Sequence, residues 1–262
     1  MGAFALSEPG AGSDAASITT TYTKKDEGFV LNGTKIFITM GSMADNIIVF
    51  AITEKGAGAK AITAFLVDKE TDGFEIGTNE KKMGFKASPT SELIFNDCYI
   101  SGENMLGKEG EGFRIAMSTL DVGRISCGAM ALGIAEEALD IALKYSQDRE
   151  QFGRPISAFQ AIQFHLADMS IMIENARLLV YRAAVLKDEG KAFTLQAAQA
   201  KVYSSEISTK VTHKAIQILG GYGYMRDYHV ERLYRDARVT ELFEGTSEVQ
   251  RLVIARQLLG KK

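Results

Sequence analysis

The hydrophobic period of the chain changes once, near residue 110, and that change limits the folds open to it. Up to that point, short β-branched and aromatic runs broken by Gly, Asn and Asp cover Ser17 to Lys24, Phe29 to Ile38, Ile47 to Ile52, Ile62 to Val67, Phe74 to Thr78 and Glu92 to Ile100. They read as six strands. No helical pattern separates them, so the spacing predicts an antiparallel sandwich or barrel rather than a parallel α/β sheet, with Asn32-Gly33 as a turn or bulge signal inside the second run. After Gly112 the apolar residues recur at helical steps. Cys127, Ala131, Ile134, Ala138, Ile141 and Tyr145 form one stripe, and Ile162, Leu166, Met169, Ile173, Ala176, Val180 and Ala183 form a second. Pro155 separates the two, and Ser157 with Gln160 has the spacing of a capping box opening the second helix. A third helix is expected from Thr194 to Leu219, up to the Gly220-Gly221-Tyr222-Gly223 break. A fourth follows Gly245, with Ser247 and Gln250 repeating the capping spacing, Val249, Leu252, Val253 and Leu258 facing inward, and Gly260 as the stop. The expected architecture is α+β: an antiparallel β-sandwich or barrel domain over residues 1–108, then a four-helix up-down bundle over 109–262.

Composition narrows the function classes. The 262 residues are 46% hydrophobic and 24% charged, which suits a packed soluble fold. Thirty Lys and Arg against 33 Asp and Glu leave a net charge of −3, the wrong sign for phosphate-backbone binding, so nucleic acid is not an expected partner. The longest apolar run, Ile47 to Ile52, is far short of the ~20 residues that span a bilayer, and no basic-then-apolar leader opens the chain; neither membrane insertion nor export is expected. Cys98 and Cys127 are too far apart in sequence for a Cys-x-x-Cys site, which suits a reducing compartment. His165, His213 and His229 lack metal-ligand spacing, and no metal site is expected.

Two segments carry chemistry. Phe4 to Asp14, FALSEPGAGSD, sets Gly10 and Gly12 among small polar residues in a stretch unsuited to regular structure; its backbone amides suit close approach to a ligand, and an ordinary surface turn reads equally well. Leu242 to Glu248, LFEGTSE, puts a carboxylate, Glu244, on a loop entering a helix N-terminus, with Gly245 leaving room for a substrate. Thr246 and Ser247 read equally well as a helix cap beside a solvated Glu244, and pattern alone does not choose.

Six motifs in order carry a resemblance: FALSEPGAGSD, Phe37-Ile38-Thr39, LDVGR at Leu120 to Arg124, REQFGRPI at Arg149 to Ile156, QILGGYGY at Gln217 to Tyr224, and FEGTSEVQR at Phe243 to Arg251. Together they resemble the acyl-CoA dehydrogenase family, and within it the short-chain, butyryl-CoA branch. The family carries an N-terminal helical domain that helps wall the flavin and acyl pocket; the resemblance here starts at the middle domain. It implies FAD as cofactor. Phe4, Leu6, Ser7, Gly12 and Ser13 resemble the loop along the flavin, with Ser13 also near the acyl-CoA. Phe37, Ile38 and Thr39 resemble the strand against the isoalloxazine, where the family commonly has Trp. Arg149, Phe152 and Gln160 resemble residues reaching the diphosphate and adenosine portions, and Gln217, Gly220 and Gly221 the loop completing that site from a neighbouring subunit. Thr246 and Glu248 also resemble cofactor-side residues, while Asp121, Arg124 and Gly245 resemble substrate-side ones.

Glu244 resembles the catalytic base. Some branches carry that carboxylate on the first long helix instead, where this chain has Gly123, which cannot take a proton. The implied reaction is α,β-dehydrogenation of a short-chain acyl-CoA to the trans-2-enoyl-CoA, with electrons passing to electron-transfer flavoprotein and the subunits assembled as a dimer of dimers. An acyl-CoA oxidase, an enoyl-CoA reductase and a non-catalytic assembly module are the alternatives on the same fold. The implied compartment is the cytoplasm of a bacterium or the mitochondrial matrix of a eukaryote.

Overall fold

The computed structural model describes residues 1–54, 56 and 58–260. They form two compact units that part after Thr119.

The first unit is one eight-stranded sheet: β1 (Gly2–Ala5), β2 (Thr21–Lys25), β3 (Gly28–Thr39), β4 (Asn46–Ile52), β5 (Ile62–Asp68), β6 (Phe74–Asn79), β7 (Thr90–Ser101) and β8 (Met105–Leu106). The order is β6-β7-β3-β2-β4-β5-β8, with β1 beside β4. Phe29 on β3 and Phe65 on β5 belong to strands three places apart, yet their ring centres are 5.1 Å from each other. The sheet therefore curls around a core that includes Tyr22, Leu31, Val49, Phe65, Phe95 and Cys98. Three features differ from the sequence expectation. The sheet is mixed, because β1 and β2 each run parallel to β4. Phe4 and Ala5 lie in β1 and not in the irregular stretch that begins after them; β1 and the short β8 pair with strands distant in sequence, which local pattern does not register. The expected strand at Ser17 begins only at Thr21, because the Thr19 and Thr20 amides donate to the Glu8 carboxylate instead of a neighbouring strand. The bulge at Asn32-Gly33 is present as a register shift between Leu31 and Gly33. Gly33 has φ 152°, and a Cβ there would lie 2.5 Å from Thr20 Oγ1, so only glycine fits.

The second unit is helical, and α1 (Gly112–Asp148) enters it from the first. A tight hairpin, β9 (Glu150–Gln151) with β10 (Arg154–Pro155), leads to α2 (Gln160–Asp188), followed by α3 (Thr194–Leu219), α4 (Val230–Val239) and α5 (Ser247–Leu259). Every residue of the second predicted stripe, Ile162 to Ala183, is buried or half-buried. There are five helices among the described residues, not four. The unexpected α4 is short and rich in charge, and buries only Val230, Leu233 and Ala237. Neither predicted capping box forms. Ser157 belongs to a 3₁₀ turn, Ile156–Ala158, so α2 starts after Phe159 without a side-chain cap. At α5 the cap is Thr246, whose hydroxyl accepts from the Val249 amide at 3.3 Å. Leu252 and Leu258, expected to face inward, are 57% and 68% exposed on the chain alone. Cys98 and Cys127 are buried free thiols, raised by burial to about 11 and about 12. No described helix is long and apolar enough to cross a membrane, and the described residues contain no cluster able to hold a metal ion.

Candidate active site

Glu244 sits at a sharp corner between α4 and α5. Its φ is 56° and that of Gly245 is 88°, two successive left-handed residues, a conformation that costs energy at a glutamate and persists only where surroundings enforce it. Three groups do so. Gln250 Nε2 donates to the carbonyls of both Glu244 and Gly245 at 3.0 Å. Lys201 Nζ, from α3, donates to the Gly245 carbonyl at 2.8 Å. The Ser247 amide closes the loop onto the Glu241 carbonyl at 3.0 Å. Glu241 is itself held by the Thr209 hydroxyl at 2.5 Å and Arg238 at 2.9 Å.

The Glu244 side chain is half-buried and lies over α1 at Gly123, where a Cβ would stand 2.5 Å from its Oε2. Burial pushes its carboxyl above the usual range, while the charges of Arg124 and Lys201 pull it back. Arg124 is only 5% exposed and pairs with Asp121 at 2.5 Å, and Asp121 in turn accepts from the Thr194 hydroxyl at 2.6 Å. Among the described residues, Arg124 Nε and Gln250 Oε1 are buried without a hydrogen-bond partner. Cys127 rests beneath, its thiol facing the Thr240 carbonyl at 3.6 Å. The structure thus brings together Glu244, Gly245, Asp121 and Arg124, with Thr246 engaged as the cap of α5 and Glu248 exposed on its first turn.

A second group gathers at the far end of α1. Arg149, Gly220 and Gly221 line one cavity of about 470 Å³ together with Tyr145, Gln151 and Tyr222, and the Arg149 guanidinium lies 5.6 Å from the Tyr222 ring centre. A Cβ at Gly220 or Gly221 would meet nothing within 4 Å, so their backbone is open to close approach. Arg149 and this loop line one cavity within a single protomer. Phe152 is 93% exposed at the tip of the β9–β10 hairpin, and Gln160 and Gln217 are exposed outside the cavity lining.

The third group belongs to the first unit. The Leu6 and Ser7 carbonyls accept from Lys35 Nζ at 3.2 Å and the Ile36 amide at 3.0 Å, fixing the start of the 6–13 loop to β3. Beneath it, Glu8 and Lys35 form an ion pair at 2.7 Å with side chains 2% and 0% exposed. Burial would raise Glu8, but Lys35 and the Thr19 and Thr20 donors hold it down at about 2. Next along β3, Phe37 has φ 57° at a second bulge and its ring is 62% exposed; Thr39 is exposed, and Ile38 points into the sheet core. Gly12 and Ser13 are exposed, and the Phe4 ring packs on Phe50 at 4.9 Å.

Sequence reasoning had passed over Lys201, Gln250 as a loop clamp, and the Glu8–Lys35 pair. Lys201 did leave a signal: it occupies a step of the inward stripe Ala197, Lys201, Ser204, Ser208, Val211, Ala215, Ile218, where a lysine needs a buried partner.

Known proteins resemble this chain over both of its units. Residues 3–98 match the acyl-CoA dehydrogenase middle domain and residues 110–259 the acyl-CoA dehydrogenase C-terminal domain. The mitochondrial short-chain specific acyl-CoA dehydrogenase of Rattus norvegicus is 53% identical over 259 residues, 99% of this chain and 63% of that protein. The acryloyl-CoA reductase (NADH) of Anaerotignum propionicum is 51% identical over 263 residues, 100% of this chain and 67% of that protein. The structure of butyryl-CoA dehydrogenase from Megasphaera elsdenii superposes with a TM-score of 0.98 at 53% identity, over 99% of this chain and 68% of that one. The chain therefore spans about 63% of the length of the rat relative. On matches that cover both units from residue 3 to residue 259, the chain belongs to the acyl-CoA dehydrogenase family.

Proposed function

We propose that this chain supplies the β and helical parts of an FAD-dependent short-chain acyl-CoA dehydrogenase, with Glu244 as the base that removes the α-proton of the acyl thioester. The observation that carries the reading is the Glu244 corner. A carboxylate held in a left-handed conformation, desolvated, and given clearance by Gly123 is oriented for proton transfer in a way that a solvated helix-end glutamate is not. Its raised proton affinity makes it a stronger base, and Arg124 and Lys201 keep that shift in check so that the carboxylate form stays accessible. The spare buried N–H of Arg124 suits an acceptor on the substrate side.

The residues present fit FAD. An arginine beside open glycine backbone matches the chemistry of a diphosphate, and the outward Phe37 ring, held by strained backbone next to the anchored 6–13 loop, offers a flat apolar face. Arg149, Gly220 and Gly221 would hold the diphosphate portion, with Phe152, Gln160 and Gln217 around it; Leu6, Ser7, Gly12, Ser13, Phe37, Ile38 and Thr39 would lie toward the ring. Thr246 and Glu248 would lie on the cofactor side of the Glu244 corner, and Asp121, Arg124 and Gly245 on the substrate side. Bound FAD supplies the acceptor for the β-hydride. Electron-transfer flavoprotein is the proposed onward acceptor, on the family resemblance, and a dimer of dimers is the proposed assembly. The compartment would be the cytoplasm in a bacterium or the mitochondrial matrix in a eukaryote. The domains are taken as 1–108 and 109–262.

Glu244→Gln tests the base. It keeps shape while removing the proton acceptor, so anaerobic flavin reduction by a short-chain acyl-CoA should fall by ~10²–10⁴-fold with ligand still bound. Glu137→Gln, on an exposed position of α1, is the comparison. A residual rate within about tenfold of the parent would assign the proton to another group. The similarity to the acryloyl-CoA reductase favours a second reading, the same residues working in the reductive direction. Reduction of a short enoyl-CoA by NADH, exceeding thioester oxidation, would select it.

A further inference from the structure

Lys201 is a buried cation of the Glu244 corner whose hydrogen bond goes to the backbone of the corner itself. It is wholly inaccessible to solvent, on α3, a helix that contributes no predicted site residue to the corner. Burying an ammonium is costly unless strong acceptors repay its hydration. The acceptor here is a carbonyl at a telling place: that of Gly245, the residue directly after Glu244, at 2.8 Å. Gln250 donates to the same oxygen and to that of Glu244, so the first peptide unit after Glu244 is held from α5 and the second from α3 and α5 at once. Fixing these two units fixes the direction in which the glutamate side chain leaves the corner, toward the open face of Gly123.

Resting on the reading of Glu244 as the base, we propose that Lys201 is its positioning residue: through the Gly245 carbonyl, the buried ammonium holds Glu244 in its left-handed conformation and aims its carboxylate. The titratable groups around the ammonium are Arg124 and the Cys127 thiol of α1, Glu241 and Glu244 of the corner loop, and Glu248 of α5. Of these, Glu244 is the residue directly before the Gly245 carbonyl that the ammonium holds, so loss of the lysine should register at its carboxylate.

Two measurements on Lys201→Met test this. In the chain labelled with ¹³C at glutamate carboxyls, with Glu244→Gln identifying the resonance, the Glu244 titration midpoint should move to higher pH than in the parent, because one of the two cations favouring its ionised form is gone. In the FAD-loaded protein, anaerobic flavin reduction by butyryl-CoA should slow by on the order of 100-fold with acyl-CoA affinity little changed, as expected when a base is displaced by about an ångström. A parental titration and a parental rate in Lys201→Met would overturn the proposal. Should that variant not fold by circular dichroism, Lys201→Gln takes its place under the same criteria; if neither folds, Lys201 serves folding and the proposal is overturned. The base reading fails separately, when Glu244→Gln itself reduces flavin at the parental rate. With Glu244→Gln inactive and Lys201→Met unimpaired, only the positioning role falls.

Discussion

Glu244 and Gly123 compete for one volume: the carboxylate Oε2 lies 2.5 Å from where a Cβ on residue 123 would be, and its Cδ 3.0 Å. Real Cβ atoms do not come that close, so Gly123→Ala should push the Glu244 carboxylate aside and lower flavin reduction by ~10-fold or more while the helix keeps its stability, since Ala favours helix over Gly. The same geometry sets the terms for moving a base to α1. Adding Glu at 123 while residue 244 is Glu or Gln crowds the site, whereas Glu244→Gly with Gly123→Glu exchanges the occupant. The double variant should recover measurable flavin reduction over Glu244→Gly alone; no recovery with the added carboxylate seen in the site crystallographically would show that position 123 does not address the same proton.

The buried Glu8–Lys35 pair should appear in the acid stability profile. Glu8 titrates near 2 in the folded chain against an ordinary value of 4.5, so its contribution is present above about 4.5 and is lost as pH falls toward 2. Lys35 is held below its ordinary value by burial, partly offset by Glu8, and acts only in alkali. Glu8→Gln should remove that acid slope and, by stranding a buried ammonium, cost about 3–5 kcal/mol. Glu8→Gln with Lys35→Met should cost less than the single change. Urea midpoints from pH 2 to 7 decide it; a single variant more stable than the double would contradict the pairing.

How far the sequence could be read tracks the range of the forces involved. The stripe from Ile162 to Ala183 was legible because one helix face sets its period, and all seven residues are buried or half-buried. The motif residues Glu244, Gly245, Asp121 and Arg124 were legible as a set, and they do meet. What escaped depends on partners distant in the chain. Thr19 and Thr20 look like strand residues until Glu8 claims their amides. Ser157 has cap spacing, but the 3₁₀ turn after the hairpin absorbs it. Lys201 reads as a solvated charge in isolation, and only the Gly245 carbonyl, 44 residues away, accounts for its burial.

Arg149 offers a test of the cofactor site that does not depend on turnover. Its guanidinium lies along the Tyr222 ring in the cavity with Gly220 and Gly221, a planar fork suited to two phosphate oxygens. Arg149→Lys keeps the charge but not the fork. Flavin fluorescence titration should therefore give Arg149→Lys an FAD affinity between the parent and Arg149→Ala, with Ala lower by about 10-fold or more. Equal affinity in all three would remove Arg149 from the site.

The last prediction concerns the outer face of α2. Phe164, Ile171, Leu178 and Val185 repeat every seven residues, are 58%, 60%, 61% and 51% exposed, and have Tyr181, 64% exposed, beside them. They lie apart from the stripe that α2 buries within its own unit. A continuous apolar row of this length on a single helix marks a surface covered in an assembly, and the heptad step is the one by which two helices interlock side by side. If another copy of the chain covers it, as the proposed dimer of dimers requires, a charge in the middle of the row should split the assembly without unfolding the protomer. Ile171→Glu and Leu178→Glu should each give a smaller particle in sedimentation velocity at micromolar concentration, with unchanged far-ultraviolet circular dichroism. Because both residues are already exposed on the chain, the protomer has little burial to lose, and a fall in its own unfolding free energy beyond about 0.5 kcal/mol would point to a role inside the fold. A parent that sediments as a monomer, or variants that sediment with the parent, would leave the row unconnected with self-association.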